Sequence, residues 1–264
     1  MYEAILLLLI NQRRTDLAAC IAMEAKPLLP PRVDLSDLKA YFGEPSPATT
    51  LYAKTFGTRL FNYTGSLLSD QAAIVFWGLR NISELLERIK AGRENPDTAS
   101  ASDIHFTDRV EVLERMVHPL WYVEDLASPQ HAIFRTFGST CLIYIYSTLR
   151  ELPKELGMNV ELAVRIKSAL ETSGDLNMLL ATFQDLLLWQ MFICGRIAHD
   201  RERPFFVQNA TKILMVRKLE DANDILAAVD RFLWPEREPA FDAHATGVVS
   251  IWSDIVEIGD ACIA

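Results

Sequence analysis

The sequence has no run of lysines or arginines, no closely spaced cysteines, no glycine-rich phosphate loop and no apolar stretch of membrane-spanning length. Each absence removes a class of function. Acidic residues outnumber basic ones 35 to 26, for a net charge of -9. Nucleic-acid affinity comes largely from neutralising phosphates, so the chain by itself is a poor candidate for gripping DNA or RNA. Cys20, Cys141, Cys194 and Cys262 stand too far apart for a zinc knuckle or a redox pair. Cys141 and Cys194 fall inside apolar helical patterns, where a free thiol behaves as a small hydrophobe, and a reducing, intracellular compartment follows. The opening stretch from Tyr2 to Ile10 is apolar but short. It carries Glu3 where a targeting signal has basic residues and runs into Asn11-Gln12-Arg13-Arg14, so it reads as a buried helix of a soluble protein without a membrane span. Neither a Gly-x-Ser-x-Gly elbow nor a His-Glu-x-x-His helix is present, and no metal or cofactor is implied.

What the chain does have is helical periodicity. Hydrophobic residues make up 50% of it and charged residues 23%, ordinary values for a globular protein. Apolar positions recur at helical spacing from end to end, which predicts an all-α fold, a single bundle of about nine to eleven helices spanning 1–264. A first helix covers about 3–25 and a short piece lies near Asp34 to Phe42, before the breaker cluster Gly43-Glu44-Pro45-Ser46-Pro47. A helix follows from Leu51, and another from Ser66 to Ala91 with Ser69-Asp70 as its cap and Gly78 as a mild weakness. The polar, Gly/Pro-containing segment 92–103 reads as a mobile loop. Beyond it Phe106, Val110, Leu113 and Val117 make the apolar stripe of a surface helix, with Asp108, Arg109, Glu111 and Glu114 on its other faces. Ser128-Pro129 starts a helix running to Glu151, although Cys141 to Tyr146 also has the composition of a short strand. A helix through Ala163, Ile166 and Leu170 stops at Ser173-Gly174, and Leu179 to Ala198, apolar nearly all round, reads as one helix enclosed by others. Ile225 to Leu233 and a last helix from Pro239 through Ile258 complete the bundle.

Three clusters have the composition of a site. Glu111, Glu114 and His118 share a helix and include an i, i+4 pair, but the spacing differs from that of di-iron proteins, where Glu and His stand three apart. The expectation is a solvated carboxylate face ending in a capping histidine before Pro119. Glu220-Asp221-Ala222-Asn223-Asp224 has carboxylates suited to magnesium, yet also suited to the positive start of a helix running through Ile225. His199, Asp200 and Arg203 are the candidates for a catalytic role, as a general base or as groups orienting a substrate. Adjacent helical residues point apart, so His199 and Asp200 form no dyad by spacing, and a polar turn between helices explains them equally. Trp77, Trp121, Trp189, Phe192, Phe205, Phe206, Trp234 and Trp252 line either a pocket or a core. Sequons at Asn62, Asn81 and Asn209 lack a secretory route and are read as chance.

The ordered motifs Phe134-Arg135-x6-Leu142-x-Tyr144-x4-Leu149-Arg150, Leu187-Leu188-Trp189-x-x-Phe192-x-x-Gly195-x-x-Ala198, Arg203-x-Phe205-Phe206-Val207, Phe232-Leu233-Trp234-Pro235 and Trp252 resemble the regulatory region of fungal zinc-cluster transcription factors. The resemblance is strongest over 130–256. It implies a helical regulatory bundle, not an enzyme, in a nuclear or cytoplasmic protein. The family's zinc cluster of six close cysteines has no counterpart in these residues, so zinc and sequence-specific DNA reading do not carry over. Trp189, Gly195, Phe206 and Trp234 match as packing positions. The expected function is a regulatory or interaction module with a protein partner or a homodimeric self-contact, and with a small-molecule effector between helices. The alternative is a stand-alone enzyme or ligand-binding protein of specialised metabolism with an aromatic-lined apolar pocket.

Overall fold

The computed structural model describes residues 16, 19–20, 41–43, 46–92, 106–121, 129–153, 156–173, 176–219 and 222–233. Most of the helices expected over 3–25 and near Asp34 to Phe42 lies outside the described residues, as do the loop beyond Gly92, Glu220, Asp221, Trp234 and the whole of the last helix with Trp252. All described elements are helical, and no strand occurs among the described residues, so the chain is all-α. No single helix among them is long and apolar enough to cross a membrane.

The chain divides into two compact units, Met1–Glu124 and Asp125–Ala264. The division falls after the linker-like segment 92–103 because the helix following that segment packs against the helix preceding it. The first unit holds α1 (Pro47–Thr64), α2 (Leu68–Lys90) and α3 (Phe106–Trp121). α1 begins within the breaker cluster, earlier than its apolar pattern indicates. The Thr49 N–H donates to Ser46 Oγ at 3.1 Å, and Pro47 occupies the first turn, where its missing N–H costs nothing. The same threonine ties the helix start to α2: its hydroxyl donates to Glu84 Oε1 at 2.7 Å and accepts from Arg80 Nε at 3.2 Å. Gly57 sets how closely α1 and α2 cross, since a Cβ there would stand 2.7 Å from Ala73 Cβ.

Ser69 does not cap α2. The helix already starts at Leu68 without a side-chain cap, and Ser69 is buried with its Oγ 3.3 Å from Thr64 Oγ1. Gly78, a mild weakness by propensity, has a packing purpose: a Cβ would come 3.0 Å from Leu113 Cδ1 of α3 and against the Phe42 ring.

The second unit holds α4 (Pro129–Tyr144), a π-helical turn (Ile145–Leu149), α5 (Gly157–Thr172), α6 (Leu176–Thr182), α7 (Gln184–Gly195), α8 (Arg203–Arg217) and α9 (Ala222–Phe232). The stretch from Cys141 to Tyr146 is helical rather than extended, and the helix opens into the π turn before Glu151 takes φ 50°. The apolar run from Leu179 is two helices, not one. α6 and α7 meet at 112°, because Phe183 leaves helical geometry (φ -122°, ψ 43°) while its ring is buried. α7 is then packed against α4, α6, α8 and α9, and every residue from Leu186 to Gly195 is buried. A helix enclosed on all sides needs apolar residues on all sides, which is its composition.

Candidate functional site

His199, Asp200 and Arg203 occupy the turn between α7 and α8. The carbonyl of His199 accepts the N–H groups of both Glu202 and Arg203 at 2.9 Å, which closes the turn and starts α8. His199 and Asp200 are exposed and Arg203 is half-buried. The Arg201–Glu202 contact is long, at 3.9 Å, with the arginine almost fully in solvent. The turn therefore places His199 and Asp200 in water, with Arg203 at the start of α8 only half exposed.

α3 is not the surface helix its stripe suggests. Arg109, Glu111, Glu114, Arg115 and His118 are all buried along with its apolar residues. Arg115 Nε lies 3.4 Å from Glu111 Oε1, one helical turn back, and its Nη1 lies 4.0 Å from Asp16. His118 does not cap the helix, which continues through Pro119 to Trp121. Burial first, and the Arg115 charge second, lower its pKa to about 4 against the opposing pull of Asp16. The solvated carboxylate face expected from the sequence is thus a buried ion-pair network. Among the described residues no three His, Cys, Asp or Glu side chains come together as metal ligands. Asp224 of the second acidic cluster is exposed in the first turn of α9.

A group of fully enclosed polar side chains lies between α4 and α7. Trp189 is completely buried, with ring centroids of Phe232, Tyr144 and Phe137 at 5.1, 6.2 and 6.3 Å. Beside this aromatic cluster runs a polar seam of Thr136, Thr140, Gln190 and Cys194. The two threonine hydroxyls donate back to their own helix, Thr136 to the Ile133 carbonyl at 3.2 Å and Thr140 to the Thr136 carbonyl at 2.8 Å. That leaves their oxygens as acceptors toward α7. Gln190 Nε2 accordingly donates to Thr136 Oγ1 at 3.4 Å, and Cys194 Sγ stands 4.0 Å from Thr140 Oγ1. Both rungs advance four residues along both helices, so α4 and α7 run parallel here. Burial pushes the Cys194 thiol up to about 12, and that of Cys141 well above the ordinary thiol range, so both stay protonated.

Two atoms of this region find no hydrogen-bond partner among the described residues, the Gln190 Oε1 acceptor and the Trp189 Nε1–H donor. An unmatched buried polar group costs about 1–3 kcal/mol, and as neighbours on one helix the two groups project about 100° apart, so each is an unmet demand at its own place in the packing of α7. Sequence reasoning passed over Gln190, Thr136 and Thr140. The available signal was a lone glutamine within an apolar helical run and two threonines four apart on the helix facing it.

No curated protein and no solved structure matches the chain. A family match does exist and covers residues 79–256, from the middle of α2 through the buried charges of α3 and the α4–α7 seam. The match extends the resemblance of the 130–256 motifs toward the N-terminus, and by it the chain belongs to the fungal specific transcription factor domain family.

Proposed function

We propose that the chain is the regulatory module of a transcription factor, which answers a small polar effector at the α4–α7 seam and passes the response on through protein contacts. The observation that carries the reading is the family match over residues 79–256, which supports a regulatory role for this helical region. The effector is supported by the buried Gln190 Oε1, an acceptor at the seam that lacks a hydrogen-bond partner among the described residues while its Nε2 donates to Thr136. Protein contact, with a partner or with a second copy, is supported by exposed apolar side chains on α1, among them Leu51 and Phe61, and by Met215 and Val216 at the end of α8. The net charge of -9 supports a module that does not hold DNA by itself. The exposed His199 and Asp200 lend no support to a stand-alone enzyme.

Native mass spectrometry of the purified chain, before and after incubation with an extract of its source cells, tests this reading. The expected result is a retained small-molecule mass that disappears in Gln190→Leu, a substitution of similar volume that removes the amide. A chain that retains no small molecule from the extract, and that retards duplex DNA unaided in a gel, would overturn it.

A further inference from the structure

The proposed effector does not account for the buried charges of α3. Arg109, Glu111, Glu114, Arg115 and His118 are each less than a tenth exposed on one helix of 16 residues. The arginine at 115 is shared between Glu111 and Asp16. The imidazole of His118 differs from these charges. Neither of its ring nitrogens has a hydrogen-bond partner among the described residues, and its ring packs edge-on against Trp121 at a centroid distance of 5.9 Å. A neutral imidazole suits that position, whereas an imidazolium would be a desolvated cation with two N–H groups and no acceptor among the described residues. The charged neighbour on its own helix is Arg115, which repels it. Glu111 and Glu114 lie on the same helix, and Asp16 is the opposing anion already engaged by Arg115. α2 meets this end of α3 through the neutral Gln71, whose amide donates to the Met116 carbonyl at 2.8 Å.

We infer that α3 is an acid-released latch of the first unit: His118 takes up a proton only once α3 has loosened enough for water to reach the ring, so mild acid draws the helix off α2. The direction comes from linkage. The docked imidazole has its pKa lowered to about 4, against 6.5 when released. Docking is therefore fully favoured above the released value, and it weakens as pH falls from about 6.5 toward 4. Between pH 7.5 and pH 5 those two values raise the opening equilibrium about thirtyfold.

Hydrogen exchange of the intact chain tests the latch, with the pH dependence of intrinsic exchange divided out. In the wild type, amides of α3 lose about thirtyfold in protection between pH 7.5 and pH 5 while amides of α7 hold theirs. In His118→Gln the α3 loss disappears. An equal loss in that variant, or unchanged α3 protection in the wild type, overturns the proposal. Should the variant fail to fold, the imidazole resonance of His118 in the wild type decides. A midpoint well below 6 supports the latch, and one near 6.5 with α3 still protected overturns it.

Discussion

α3 and α7 are both removed from water along nearly their whole length, and they differ in what they bury beside their apolar residues. α7 buries Leu186, Leu187, Leu188, Trp189, Met191, Phe192 and Ile193, with Gln190 as the polar exception. Each large apolar side chain contributes about 1.5–3 kcal/mol by leaving water. α3 buries Arg109, Glu111, Glu114 and Arg115 in the same manner, but there the desolvation cost offsets most of the attraction within the pairs. α3 draws its stability from Val110, Leu113, Met116, Val117, Leu120 and Trp121, while its buried charges add little and make the first unit sensitive to any change in their balance.

The difference breaks most visibly at Trp189. Trp189→Ala removes the side chain at the centre of the Phe137, Tyr144 and Phe232 cluster and is expected to cost about 3–5 kcal/mol, measured as a lower urea midpoint by circular dichroism. On α3 a comparable loss, about 3 kcal/mol, comes from Arg115→Met, because Glu111 is left as a buried charge without its cation. The double change Arg115→Met with Glu111→Leu sharpens the contrast. It is expected to recover part of that loss, since Asp16 still lacks its cation, whereas no second apolar substitution on α7 refills the Trp189 cavity so simply. Gly57→Ala is expected to cost about 1–3 kcal/mol, since its Cβ would overlap Ala73 Cβ at 2.7 Å and push α1 from α2. The smallest effect falls on the exposed turn. His199→Ala and Asp200→Ala should each shift stability by no more than about 0.5 kcal/mol in the same assay.

α7 was legible in the sequence because enclosure by other helices leaves an all-round apolar signature. α3 was not, because a helix that buries paired charges has the same letter pattern as one that hydrates them. The stripe of Val110, Leu113 and Val117 is real, yet it says nothing about what covers the opposite face. Asp16, which makes one of the pairings, lies far away in the chain. The bend at Phe183 was hidden for a related reason. An apolar run continues unbroken through it, and only tertiary packing decides that Phe183 is buried by turning the chain. At the candidate sites, the polar cluster around His199 drew attention by composition and proved to be a turn. The seam went unnoticed because Gln190 is a single letter, and its meaning depends on Thr136 across the helix interface.

The π turn at Ile145–Leu149 gives the second unit a phase marker. An ordinary helix advances about 100° per residue, and a π turn accommodates one residue more than that spacing allows. The extra residue rotates the chain beyond the turn relative to α4, so Arg150 donates its N–H five residues back to Ile145 at 2.9 Å and the chain can leave through Glu151 at positive φ. Deleting one residue within 145–149 is expected to restore regular winding and to remove the five-residue hydrogen bond from Arg150 to Ile145. The direction in which the chain leaves α4 for α5 is thus set by a single wide turn.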